Sequence, residues 1–231
     1  MSNLLSADNG VGTSKLAALL EESSPGSQKL YLIFGGIMSG IGMPPFEFYN
    51  SAKIIDENKI FFRDPSQAWY QNGLPGIAEN PYQLAEYIGD KIDQYNVKDV
   101  YFIGNSMGGF AAIMFAAIIG RGKVVAFCPQ TSIHPSRYIK CGDFRWNRQI
   151  LRTYGKSLFK RHVYDLRSLL KQACSNINMN IYVSTLDSRD VNQAQNIANI
   201  RNVTIKYYDV AGHNLVRYLR DKKKLEAILR S

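Results

Sequence analysis

Short apolar runs rich in β-branched and aromatic residues recur along the chain at Leu30–Phe34, Ile60–Phe62, Val100–Ile103, Val124–Phe127, Ile181–Ser184 and Val203–Tyr208. Each predicts a strand. Between most of them the apolar positions switch to helical spacing, at Pro81–Tyr95, Met107–Ile119, Val191–Ile200 and Leu215–Leu229. The strand runs are nearly continuous rather than alternating, so both faces of the sheet are expected to be buried. Strand and helix alternate, which predicts a mostly parallel six-stranded sheet with helices on both faces.

Two stretches break the rhythm. Residues 1–27 are polar and Gly-containing at first, and are expected to be partly mobile, with a short helix over Lys15–Glu22 closed by Ser-Ser-Pro-Gly. The stretch Thr131–Ser175 separates two strands and is rich in Arg, Lys and aromatics, which suggests a small helical excursion, cap-like, over one end of the sheet. The organisation expected is therefore an N-terminal segment, 1–27, and one domain, 28–231, interrupted at 131–175.

Composition narrows the picture. The 231 residues are 45% hydrophobic and 20% charged, ordinary for a folded domain and unlike a disordered chain. The net charge of +9 favours an anionic partner through long-range attraction. The densest basic stretches, Lys156–Arg161 and Arg217–Lys224, are interspersed with apolar residues at helical spacing and read as solvated helix faces, so no specific nucleic-acid partner is expected. Cys128, Cys141 and Cys174 are odd in number and lack C-x-x-C spacing. Neither a disulfide framework nor a metal site is suggested, and a reducing, cytoplasmic setting fits best. No signal-peptide pattern and no apolar run long enough to span a bilayer is present.

The chemistry lies after the third of these strands, where the chain reads Gly104-Asn105-Ser106-Met107-Gly108 and then enters an apolar helix. In G-x-S-x-G a strand turns abruptly into a helix with the serine at a strained apex, and the flanking glycines remove Cβ atoms that would clash. Ser106 is thus a candidate nucleophile. His213, in Ala211-Gly212-His213-Asn214, follows the last strand. In a parallel sheet the loops after the strands leave by one edge, so it can meet Ser106 as a general base. The loop after the fifth strand, Thr185-Leu186-Asp187-Ser188-Arg189-Asp190, offers two acids. Asp187 stands a tight turn beyond the strand; Asp190 directly precedes a helix and can act as its N-cap. Spacing leaves both open. Gly35-Gly36-Ile37, after the first strand, lets backbone approach a substrate, with the N–H groups of Ile37 and Met107 as the expected oxyanion donors. Gly36, Trp69, Tyr70 and Gln130 follow strands at the same edge and are candidate substrate contacts, the aromatics either stacking on a sugar or packing beneath their loop.

With these pieces together the chain resembles the α/β-hydrolase superfamily across roughly residues 28–230, in a short form without the usual first antiparallel hairpin. GGIMSGIGMPPFEF, FFRDPSQAWYQNGLPG, GNSMGGFAA, FCPQTSIHP and AGHNLVRYLRD are similar to a bacterial group of small hydrolase-like domains, some beside polysaccharide or glycosyltransferase modules. The resemblance implies a strand order of second, first, third, fourth, fifth, sixth. It also implies an acyl-enzyme mechanism on a small-molecule or carbohydrate ester without a cofactor, and Asp190 rather than Asp187 as the acid. Acyl transfer, and a non-catalytic module that kept the fold, are the alternatives.

Overall fold

The computed structural model describes residues 18–37, 46–136, 142–155, 162–173 and 176–230. Seven strands form one sheet: β1 (Leu19–Glu22), β2 (Lys29–Phe34), β3 (Asn58–Phe62), β4 (Asp99–Asn105), β5 (Gly122–Phe127), β6 (Ile177–Ser184) and β7 (Val203–Tyr208). Their order is β1-β3-β2-β4-β5-β6-β7. The six strands expected from the apolar runs are parallel and lie in the order expected. Alternate residues divide two cores. Leu30, Leu32, Phe34, Phe102, Val124 and Ile181 face one side, and Tyr31, Ile33, Tyr101, Ile103, Val125 and Tyr182 the other.

The first face is covered by α1 (Pro81–Tyr95) and α2 (Met107–Ile119). Asn80 caps α1 by accepting from the N–H groups of Tyr82 and Gln83, with Pro81 in the first turn, and Asn96 ends it in a left-handed conformation. Every residue of α2 from Met107 to Ala117 is buried, which is why that helix is apolar all round. On the second face lie α6 (Leu215–Asp221) and α7 (Leu225–Arg230), through Leu215, Leu219, Leu225 and Leu229. The 131–175 stretch carries α3 (Asn147–Gly155) and α4 (Leu166–Gln172), and α4 returns to pack against α2. α5 (Ser188–Gln195) follows β6. No helix among the described residues is long and apolar enough to cross a membrane.

Three expectations are corrected. Leu19–Glu22 is a strand, not the end of a helix: it pairs antiparallel with β3, Leu19 opposite Phe62 and Glu22 opposite Lys59. It covers an edge that would otherwise expose unpaired backbone groups, and it makes residues 18–22 part of the sheet rather than of a separate segment. Lys15–Ala17, like residues 1–14, Cys141, Cys174 and Lys156–Arg161, lie outside the described residues. The helix expected over Leu215–Leu229 is two. Lys223 adopts φ +55°, Lys224 N–H bonds to Leu219 O (2.8 Å) and Lys223 N–H to Arg220 O (2.9 Å), a Schellman closure without glycine. The helix expected from Val191 begins at Ser188.

Candidate active site

β4 ends in the turn that lifts Ser106 above the sheet edge. Ser106 sits at φ +55°, ψ −118°, a backbone conformation that costs a serine energy and persists because its surroundings hold it. Its N–H is bonded to Phe127 O on β5 (2.9 Å) and its carbonyl accepts from Phe110 N–H (3.1 Å). The flanking glycines are required by contact. A Cβ on Gly104 would lie 2.1 Å from Gly108 O, and one on Gly108 2.1 Å from Phe34 O on β2. Gly108→Ala therefore drives a methyl into the backbone of a central strand, and urea unfolding should register a loss of about 3 kcal/mol or more. Gly89→Ala is the control: on α1 a Cβ meets nothing within 4 Å, so the change should stabilise by about 0.5–1 kcal/mol.

His213 follows β7 after a turn in which Gly212 has φ +63°. Its Nδ1 lies 2.9 and 3.0 Å from the two carboxylate oxygens of Asp190, which is 1% exposed in the first turn of α5. A carboxylate only accepts, so Nδ1 carries a proton in this arrangement. Nε2 is buried and has no hydrogen-bond partner among the described residues. Asp187 has a different place. It is the N-cap of α5, accepting from Arg189 N–H (3.0 Å), and is gripped by the Arg189 guanidinium at 2.8 and 2.7 Å. The Arg189 bond is the main cause that draws its carboxyl down to about 2. Of the two acids weighed from the sequence, Asp190 meets the imidazole and Asp187 starts the helix.

Two charged groups at the site were not singled out from the sequence. Arg145, from the excursion, donates through Nη1 to Asp190 Oδ1 (2.9 Å), with Nη1 3.2 Å from His213 Nδ1, and its other nitrogens fork onto Asp143 at 2.7 and 2.8 Å. Burial alone would raise the Asp143 carboxyl, but the Arg145 guanidinium brings it below the usual range. Glu47 accepts from Gly36 N–H (2.6 Å) and from Asn105 Nδ2 (2.9 Å), tying the loop after β2 to the elbow. Burial raises its carboxyl above the ordinary value, against the lowering effect of those two bonds and of His213.

The Gly36 N–H is thus taken, whereas Ile37 N–H has no acceptor among the described residues. Met107 opens α2, whose first-turn amides have no carbonyl within the helix to bond. Trp69 and Tyr70 are 0% exposed and offer no ring face for a sugar to stack on, which corrects that reading: they pack beneath the loop after β3. Tyr70 Oη bonds to Gly35 O and Phe62 O (both 3.1 Å), and Trp69 Nε1 to Gln130 Oε1 (3.2 Å). Gln130 Nε2 in turn donates to Ser106 Oγ (2.9 Å). Ser106 and His213 are not hydrogen-bonded to each other in the structure. Among the described residues, Cys128 with Asp190 and His213 forms a cluster whose ligand atoms lie within 4.8 Å of one another. Arg145 already occupies Asp190, so a cation there would have to displace a cation.

No family model matches the chain, and no curated protein is significantly similar to it. Solved structures are. The capsule O-acetyltransferase of Neisseria meningitidis serogroup A superposes with a TM-score of 0.64 at 18% identity, over 92% of this chain and 91% of that one. FphF, a fluorophosphonate-binding serine hydrolase of Staphylococcus aureus, does so at 0.61 and 15%, over 92% of each. The glycosylation-associated Gap123 complex of Streptococcus agalactiae matches at 0.60 and 14%, over 90% of this chain and 43% of that one.

Proposed function

We propose that this chain, which has the α/β-hydrolase fold, is a serine hydrolase that passes an acyl group through Ser106. Ser106 Oγ attacks an ester carbonyl, His213 Nε2 takes its proton and returns it to the leaving alcohol, and Asp190 fixes the imidazole and stabilises its positive charge. The N–H groups of Ile37 and Met107 receive the developing oxyanion. The observation that carries this reading is the Asp190–His213 pair: both carboxylate oxygens meet Nδ1, while Nε2 is buried and unpartnered among the described residues, which leaves that nitrogen for the serine proton. The parallel order of β4, β6 and β7 supports it further, since the loops after all three leave by one edge. Arg145 supplies a second fixed donor to Asp190, so the carboxylate is held from two sides.

Transfer of the acyl group to a carbohydrate hydroxyl, rather than to water, is the second reading. The similarity to the capsule O-acetyltransferase, solved also in complex with CoA, agrees with it. Incubation with an activated acyl ester, alone and with mono- and oligosaccharides, separates the readings. Free acid regardless of acceptor means hydrolysis, and acylated sugar means transfer. An absence of Ser106-dependent consumption of any ester would overturn both and leave the non-catalytic module.

A further inference from the structure

The described structure gives Ser106 Oγ one hydrogen-bond partner, and it is not the imidazole. Gln130 Nε2 donates to it at 2.9 Å from a side chain that is 2% exposed. The orientation of that amide is determined from its far end. An indole N–H can only donate, so Trp69 Nε1, 3.2 Å from Oε1, requires the carbonyl end of Gln130 and turns the NH2 end onto the serine. Trp69 is itself held in an unusual turn: it and Tyr70 have φ of +53° and +58°. The turn winds around Asp64, whose Oδ2 accepts from Ala68 N–H (2.7 Å) and Tyr70 N–H (2.9 Å). Bulky residues in this region cost about 1 kcal/mol or more each. Asp64 thus fixes the turn that carries Trp69, and from Trp69 a buried hydrogen-bond chain runs through Gln130 to the nucleophilic oxygen.

We infer that Gln130 is a further catalytic residue whose amide stays on Ser106 Oγ, and that Trp69 is the positioning residue that keeps the amide the right way round; this rests on the acyl-enzyme reading above. In the first half-reaction the Oγ–C bond forms as the Oγ proton passes to His213 Nε2 and the carbonyl π pair moves onto its oxygen; that pair then re-forms the carbonyl as the bond to the leaving alcohol's oxygen breaks, and Nε2 gives its proton to that oxygen. In the second, an acceptor O–H gives its proton to Nε2 and its oxygen bonds to the acyl carbon. The C–Oγ bond then breaks with its electron pair on Oγ, which recovers the proton from His213. Between bond breaking and proton return Oγ carries negative charge. An N–H donor binds that charge far better than it binds the weakly accepting ester oxygen of the acyl-enzyme, so its contribution falls mainly on the second half.

Stopped-flow turnover of p-nitrophenyl acetate by the full chain tests this, because the burst reports acylation and the steady phase deacylation. Gln130→Ala should slow the steady phase by about 10²-fold while keeping the burst amplitude, with fluorophosphonate labelling of Ser106, which needs attack only, falling much less. Trp69→Phe never touches Ser106 but frees the amide to flip, and should slow the same phase by about tenfold. Gln130→Glu, which puts an acceptor on Oγ, should be at least as slow as the alanine variant. Steady turnover of folded Gln130→Ala within about twofold of wild type overturns the inference, as do both phases falling together with the melting temperature. If Gln130→Ala fails to fold, Trp69→Phe decides by the same criterion. Wild-type protein with neither burst nor labelling overturns the acyl-enzyme reading itself, a result the variants cannot imitate.

Discussion

Ser106→Ala is expected to stay folded, to lose all covalent reaction with a fluorophosphonate probe, and to lose ester turnover by about 10⁴-fold or more. The fold should survive because the substitution leaves what holds the elbow. Gly104 and Gly108 remain, and the backbone bonds of residue 106 to Phe127 and Phe110 do not involve the side chain. The lost Gln130–Oγ bond leaves one buried amide N–H short of a partner, a cost of about 1–3 kcal/mol, within reach of a domain of this size. The chemical loss has no such compensation, since no other nucleophile stands at the elbow. Circular dichroism and intact-mass labelling check the two halves of the expectation, and a folded variant that still turns over ester would remove Ser106 from the mechanism.

Asp190→Asn is expected to cost about 10⁴-fold in kcat, and Asp187→Asn to leave the rate nearly unchanged. The structure gives a specific reason for the first. Asp190 serves two donors, Arg145 Nη1 and His213 Nδ1–H, and a carboxylate can accept from both. Asparagine has one oxygen. Arg145, anchored on Asp143 and unable to do anything but donate, claims it, which leaves the NH2 group facing Nδ1 and drives the imidazole proton onto Nε2. The base is then lost while the shape is kept. At position 187 asparagine caps a helix about as well as aspartate; the forfeited pairs are one with Arg189, whose guanidinium is 42% exposed, worth about 0–1 kcal/mol, and a longer one with Arg145 (3.8 Å). Rates and urea midpoints of the two variants separate the roles. A reversal would move the acid to Asp187, and two mild variants would take the acid from another strand.

The inner strands were legible because they are buried on both faces and so are written as apolar runs, whereas β7, an edge strand with no buried residue, was legible from its β-branched and aromatic residues. α1 and α2 were legible to the residue because Asn80-Pro81 marks one start and the Ser106 elbow the other. β1 was not: four residues of Leu-Leu-Glu-Glu have helical composition, and only the open edge of β3 makes them a strand. The break between α6 and α7 was hidden for a related reason, since Lys223 takes the left-handed position that glycine usually advertises. Ser106 and His213 stand in local patterns that state their geometry. Arg145 and Glu47 do not. Arg145 reaches Asp190 across 45 residues and His213 across 68, and in the sequence it is one more cation in a basic stretch. Trp69 was visible, but an aromatic in a loop reads alike whether it faces a ligand or the core, and only its complete burial decides.

The most direct test of the account is to trap the acyl-enzyme. Wild-type protein mixed with an activated acetyl ester, quenched in acid within the burst and digested, should yield one acetylated peptide, modified at Ser106 and absent from Ser106→Ala. Turnover that proceeds with no acyl group on Ser106, or with the acyl group on another residue, would contradict it.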